Sequence, residues 1–415
     1  MQFNKSYRLL RYLNRSHSRV SRYGLGALAW LGTLAFTRSA TLAGLMRRGF
    51  VEDDFRLAFR RAAWLARHVL PALDLFKDPF FDFTMETSPA ERMALKHFLE
   101  RYKSNAKPWA YATDHLYLMA ADIHARLEDE INGLAMHEEV SAFYDTADTA
   151  LSALAVPATD LAPVRKERDD DFSKADAVEA LRDLSQALPL AQWPWYVISG
   201  TFLGLHREGG FLAHDYDIDI GINAEDINID ALITALDAYP RFATKKVDLH
   251  IEITQDKQGK LHLRKVPALM KLIHKNGLNL DIFIHHTENG RCWHGSIIHR
   301  WENTPFTLVK RELEGVTVQA PADADRYLTE NYGAWRTPVK EFDCTTGTPN
   351  LVASRNFLSV ALFVKRLAVF GETNARDAEK LRRALISSGV IRAEGQRIRV
   401  VRRFEHQPIL EKDAA

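Results

Sequence analysis

The chain has 415 residues, 46% of them hydrophobic and 26% charged, with a formal net charge of +1. That length predicts roughly two or three domains, and the apolar content excludes disorder and fits a soluble protein with a sizeable core. Two cysteines, Cys292 and Cys344, are too few for a disulfide framework or a zinc site of their own. They fit ordinary buried thiols in a reducing, cytoplasmic compartment.

The small net charge hides a segregation. Residues 1–50 carry Lys5, Arg8, Arg11, Arg15, Arg19, Arg22, Arg38, Arg47 and Arg48 and no Asp or Glu, and the stretch after 351 has basic runs such as "QRIRVVRRF". Basic ends on an acidic middle predict an anionic partner surface, here a membrane rather than nucleic acid. The apolar run "GLGALAWLGTLAF" (24–36) lies between Arg22 and Arg38 and is too short to span a bilayer, which takes about 20 residues. The long basic stretch before it and the lack of a clean cleavage site argue against a signal peptide. Two readings stay open: an interfacial anchor on the inner face of the membrane, or a buried Ala/Leu helix with a basic outer face.

From 51 to about 155 apolar positions recur at three and four, as in "DDFRLAFRRAAWLARHVLPALDLF" and "TDHLYLMAADIHARLEDEINGLA", so 1–155 is predicted as a helical N-terminal region. Ser88 with Glu91 predicts a capping box. A linker at 156–173 contains Pro157, Pro163 and a charge run.

The region 174–350 alternates in type. A helix, "KADAVEALRDLSQALPL", precedes a short strand, "WYVISG", and a tight Ser199-Gly200-Thr201 turn. A helical "TFLGLHREG" leads to a strand bearing alternating acids, and an amphipathic helix covers about 225–238. One hairpin is predicted across "QDKQG" and a second across Lys275-Asn276-Gly277, where Asn-Gly separates two alternating apolar runs. The remaining region, 351–415, reads as two helices, "SRNFLSVALFVKRLAVF" and "NARDAEKLRRALISSG", and a closing basic strand.

The chemistry converges on "SGTFLGLHREGGFLAHDYDIDIGI". Asp215, Asp217 and Asp219 share one strand face, and three carboxylates so placed call for a cation. Asp281 interrupts the later apolar strand "LDIFI", where burial without a partner costs several kcal/mol. Oxygen ligands from Asp217, Asp219 and Asp281 suit Mg²⁺ or Mn²⁺ rather than zinc. The Ser199-Gly200-Thr201 turn offers backbone N–H groups and hydroxyls to a phosphate, with His206 and Arg207 one to two helical turns on. Together these predict metal-assisted phosphoryl transfer, with Asp217, Asp219, Asp281 and Asp215 catalytic, and Asp281 or Asp215 as the base. The histidines at 250, 262, 274, 285, 286, 294 and 299 match no metal-ligand spacing and are read as structural, with His285 and His286 near enough to Asp281 to reach a substrate.

Gly200, Thr201, Leu203, Gly204, Arg207, Asp215, Asp217 and Asp219 resemble the signature of the LicD/fukutin/fukutin-related protein family. A second segment, with Pro321, Tyr327, Leu328, Tyr332, Gly333, Trp335 and Pro338, is similar to that family's downstream motif and leans to the fukutin branch. His214 and Ala213 depart from the family's usual Trp and Pro. The resemblance covers about 175–350. It implies an α+β, nucleotidyltransferase (DNA polymerase β-like) mixed-sheet core with a helical N-terminal region and a basic C-terminal extension. It also implies transfer of an alcohol phosphate (ribitol, glycerol or choline phosphate) from a CDP-activated donor to a glycan or lipid-linked glycan acceptor, releasing CMP. Two other readings remain: NMP transfer with release of pyrophosphate, and a non-catalytic membrane-associated scaffold.

Overall fold

The computed structural model describes residues 19–51, 61–62, 64–65, 68–69, 87–105, 108–129, 133–152, 173–213, 217–339, 342, 344, 348–373, 375–395 and 397–404. Asp215 and His214, with the predicted linker and the helical run around 52–86 apart from a few of its residues, lie outside them.

The site-bearing part opens with α6 (Lys174–Ala187), started by Ser173, whose hydroxyl accepts the Asp176 N–H at 3.2 Å. Its buried row is Ala177, Ala180, Leu181 and Leu184, the three-and-four spacing of an apolar stripe. Then come β1 (Tyr196–Val197), α7 (Ser199–Glu208), β2 (Asp217–Asn223) and α8 (Ile229–Asp237). Two long strands follow, β3 (Phe242–Gln255) and β4 (Leu261–His274), then β5 (Asn279–Glu288), β6 (Arg291–Gly295) and β7 (His299–Asn303). A separate hairpin, β8 (Leu308–Leu313) and β9 (Val316–Pro321), precedes α9 (Ala324–Tyr332). β10 (Leu351–Ala353) then returns to pair with β7.

The result is an α+β molecule with a mixed sheet. β2 runs parallel to β5, while β1 pairs antiparallel with β2 and β4 antiparallel with β5. The two predicted hairpins share one strand: β4 pairs with β3 on one side and with β5 across the 275–277 turn on the other. The first half of β5 is flanked by β2 and β4, and its last three residues by β6. Alternation then sorts the faces. Ile218, Ile220, Ile222, Met270, Leu272, Leu280, Ile282 and Ile284 are all buried in one core with α6 and α9 residues. Asp217, Asp219 and Asp281 fall on the opposite face.

A second core joins α4 (Pro108–Asp129) and α5 (His137–Ser152) to α10 (Phe357–Thr373) and α11 (Ala375–Ser387). At the predicted boundary of 350 the sheet continues, since β10 pairs with β7, but the core changes: α10 buries Phe357, Ala361 and Val364 against helices from the N-terminal region. The predicted closing strand is a hairpin, β11 (Ile391–Glu394) with β12 (Arg397–Val400). A buried polar knot ties these parts. Asp114 of α4 receives the Lys365 ammonium of α10 and the Trp64 indole N–H at 2.9 Å, with His68 Nε2 at 3.3 Å.

A third cluster packs α1 (Arg19–Thr37), α2 (Ala40–Val51) and α3 (Pro89–Arg101). The Ser88/Glu91 capping box is present, with the Glu91 N–H donating to Ser88 Oγ at 3.3 Å and the Ser88 N–H to Glu91 Oε2 at 2.8 Å. Cys292 is buried as expected, but Cys344 is exposed, because it sits in the loop between α9 and β10 rather than on a strand.

Buried imidazoles make the fold acid-sensitive. Desolvation, the larger cause in each, pushes His124 and His285 down to about 3 and holds His294 and His299 well below their ordinary value. The folded pKa lies below the unfolded one, so this stability is present above about pH 6.5 and is lost as pH falls toward 3. Each such group costs about 1.4 kcal/mol per pH unit in that window. Urea melts should give similar midpoints at pH 8 and 7 and a steep fall between 6.5 and 5.5. A midpoint that is flat down to pH 5.5 would contradict neutral burial of these rings.

Candidate active site

β2 and β5 bring the three predicted carboxylates together. Asp219 is in register with Asp281 across the parallel pair, and Asp217 lies one alternation earlier. One oxygen from each of Asp217, Asp219 and Asp281 falls within 4.8 Å of the others. This is an all-oxygen donor set of the size and charge that a hard divalent cation takes.

A fourth charge stands in the row. Lys271 of β4 is in register with Asp281, and its Nζ is 2.6 Å from Asp281 Oδ2. Burial pulls the Lys271 ammonium down, but the charges of Asp281, Asp248 and Asp217 outweigh it and the net shift is upward. It therefore stays protonated. Sequence reading missed Lys271, although the Asn-Gly turn fixes the hairpin register and so places 271 opposite 281.

In the turn before the acids, Thr201 departs from its prediction. Ser199 has φ 49°, a left-handed value that costs a non-glycine residue about 1–2 kcal/mol, and it turns the chain from β1 straight into α7. The Ile198 N–H donates to the Asp219 carbonyl at 3.2 Å, so α7 starts beside the acids. Ser199 and Gly200 are half-buried there, at a helix N-terminus that favours anions. Thr201 is fully buried and cannot reach a phosphate. Its hydroxyl accepts the Asp219 backbone N–H at 2.9 Å, which fixes β2 against α7.

His206 and Arg207, predicted to meet phosphate oxygens, sit further along α7. They lie seven and eight residues beyond Ser199, about 11–12 Å along the helix, and they engage the downstream motif. Arg207 Nη1 donates to the Trp335 carbonyl at 3.2 Å and Nη2 to Glu208 at 2.9 Å. The His206 ring meets the Trp335 ring at 5.4 Å. The two family-like segments are thus stitched to each other, and Phe202 against Tyr327 at 5.6 Å adds to the seam. Gly204 belongs to it as well: a Cβ there would lie 2.6 Å from the Gly210 carbonyl oxygen, so only glycine lets the chain fold back over α7.

His285 and His286 line a cavity of about 230 Å³ together with Glu225, Arg264, Glu288 and Trp293, and none of the three carboxylates Asp217, Asp219 and Asp281 lines it. His285 is buried between Tyr196 and His294, at 5.4 and 4.6 Å between ring centroids, and His286 stacks on Trp293 at 4.6 Å. A second acidic group, Glu179 and Asp183 with His274, is compensated by neighbouring cations. Arg241 bonds both carboxylates at 3.0 and 3.1 Å, and Lys275 lies 3.1 Å from Glu179.

Comparisons with known proteins bear on this segment. Residues 193–323 match the family model described as LicD/FKTN/FKRP, nucleotidyltransferase domain. The ribitol-5-phosphate transferase FKTN of Mus musculus is 28% identical over 184 residues, 42% of this chain and 35% of that protein. Its Homo sapiens counterpart is 26% identical over 187 residues, 43% of this chain and 37% of that protein. The chain thus spans only about a third of the length of these relatives. A lincomycin-bound lincosamide antibiotic adenylyltransferase LnuA aligns at 13% identity and a TM-score of 0.24, over 38% of this chain and 86% of that one, too loose a likeness to bear on the site. Of the downstream motif only Pro321 falls inside the matched segment. Residues 193–323, which run from β1 through β9 and hold all three carboxylates, are thus the part of the chain that is similar to the LicD/FKTN/FKRP nucleotidyltransferase domains.

Proposed function

We propose that the protein is a metal-dependent phosphotransferase that moves an alcohol phosphate from a CDP-activated donor onto a glycan hydroxyl and releases CMP. The observation that carries this reading is the set of three carboxylates on adjacent parallel strands, with oxygens within 4.8 Å, inside a segment of this family. The relatives' names favour ribitol phosphate as the group transferred. We read the β2–β5 pair with α7 as the core of a nucleotidyltransferase fold.

Asp217, Asp219 and Asp281 would hold Mg²⁺ or Mn²⁺, which when bound neutralises charge on phosphate oxygens. The chain's own residues do the rest. The N-terminus of α7, at Ser199 and Gly200, offers its first-turn N–H groups to the donor diphosphate. Thr201 holds Asp219 in place through the 2.9 Å bond to its N–H, so the carboxylates stay preorganised. The acceptor hydroxyl oxygen attacks the distal phosphorus in line, and the bridging P–O bond to CMP breaks. CMP leaves with that electron pair, and a carboxylate of the cluster takes the acceptor proton.

The test is product analysis with CDP-ribitol, CDP-glycerol and CDP-choline in the presence of Mg²⁺ or Mn²⁺. Metal-dependent CMP release with phosphodiester formation supports the reading. Release of pyrophosphate from CTP would point to nucleotidyl transfer instead, and neither product with any donor would leave a scaffold.

A further inference from the structure

We propose that α1 lies in the interface of an anionic lipid bilayer and docks the protein there. Along α1 Gly24, Ala27, Leu28, Leu31 and Ala35 are exposed, and their spacing puts them in one stripe. The opposite side is seated: a Cβ on Gly26 would lie 2.9 Å from Val51 of α2. Among the described residues six large hydrophobic side chains are exposed, and four of them, Tyr23, Leu28, Leu31 and Phe36, belong to this helix. No charged residue interrupts it from Tyr23 to Thr37.

The occupant follows from charge. Residues 1–50 hold nine Lys and Arg and no acid. At the C-terminal end of α1 a cavity of about 450 Å³ is lined by Arg38, His97 and Arg101 together with Thr37, Ser39 and Thr41, and no carboxylate lines it. Arg101 and Tyr102 of the neighbouring segment bond the Thr37 and Phe36 carbonyls, so the pocket is fixed to the end of the stripe. Met93, 53% exposed, continues the apolar surface beside it. An apolar stripe ending in a cationic pocket fits acyl chains with anionic headgroups. A second copy of this chain would set the same basic segment against itself. No helix among the described residues is long and apolar enough to cross a membrane, so the contact is with one face of the bilayer.

The experiment is co-sedimentation of the full chain with phosphatidylglycerol vesicles and with phosphatidylcholine vesicles, each at low and high salt. Binding is expected to phosphatidylglycerol only and to fall with salt. The exposed double variant Leu28→Glu/Leu31→Glu should lose at least about 10-fold in vesicle affinity, and Arg38→Gln/His97→Gln should lose less, with circular dichroism unchanged in both. Equal binding to both lipids would overturn the proposal. So would no binding to either, or a parent dimer that the glutamate variant dissociates, which would assign the stripe to a second copy.

A separate observation concerns Lys271. We infer that it is a donor-binding residue, parked on Asp281 until substrate arrives; this rests on the proposed phosphotransfer. At 2.6 Å from Oδ2 its ammonium occupies one of the two oxygens of a carboxylate in the cluster. Displaced, it remains beside the cluster with a charge suited to a diphosphate. Lys271→Met should bind Mn²⁺ alone more tightly, by about 3-fold or more, because a competing charge is gone. It should bind CDP more weakly, by about 10-fold. Calorimetry reads both without turnover. Unchanged affinities for Mn²⁺ and for CDP would reduce Lys271 to a surface pair. A parent protein that binds Mn²⁺ and CDP but transfers nothing would fault the reaction rather than this assignment.

Discussion

Asp217→Asn and Asp219→Asn are each expected to lower CMP release at least ~10²-fold while leaving the fold intact. Each change keeps shape and hydrogen bonding but removes one charge from a set whose oxygens lie within 4.8 Å. A bound cation supplies several kcal/mol to the transition state, and about 1.4 kcal/mol corresponds to a decade in rate. Without metal, removing one of several crowded like charges relieves repulsion, so melting temperature should hold or rise. Added Mg²⁺ should raise the melting temperature of the parent but not of the variants, since stabilisation by a ligand follows its occupancy. Asp281→Asn should lose activity similarly yet behave differently without metal, because it removes the carboxylate that Lys271 faces. Near-normal turnover in either β2 variant would leave a solvated acidic strand and no catalytic centre.

The largest stability effect is expected at Asp114. Asp114→Ala takes away the carboxylate that meets the Lys365 ammonium, the Trp64 indole and His68 in a place where Asp114 is 2% and Lys365 4% exposed. Breaking a buried pair in this way costs about 3–5 kcal/mol. The double variant Asp114→Leu/Lys365→Met should recover a large part of that, since a well-packed apolar replacement removes both desolvation costs. Urea denaturation of the parent and the two variants decides it. A single variant as stable as the parent would mean that water enters this knot.

Much of the site could be read from local pattern. Alternation alone put Asp217 and Asp219 on one face, and the apolar run around Asp281 marked an acid that needed a partner. The Asn-Gly turn gave the β4–β5 hairpin, and the capping box at Ser88 gave the start of α3. What escaped was side-chain direction and anything non-local. Thr201 and Ser199 are two residues apart in a turn, yet one hydroxyl is spent on the Asp219 N–H while the other residue opens the helix. Nothing in the composition of α7 says that Arg207 reaches a carbonyl 128 residues away. The burial of His285 beside His294 likewise depends on β6, a strand with its own turn. Charged stretches misled in a similar way, since the basic residues 391–400 form a hairpin on α5, with Asp148 accepting the Val400 N–H at 2.9 Å.

The way α4 and α5 meet α10 has a temporal meaning. Phe357 and His124 are joined by a hydrogen bond across 233 residues, and Lys365 and Asp114 across 251. A ribosome adds about 5–20 residues per second, so α4 and α5 wait on the order of ten seconds or more with their apolar faces uncovered before α10 emerges. Closing loops of this length makes folding slow. During that interval the half-made chain is a client for holdases, and any pause before codon 357 prolongs its exposure.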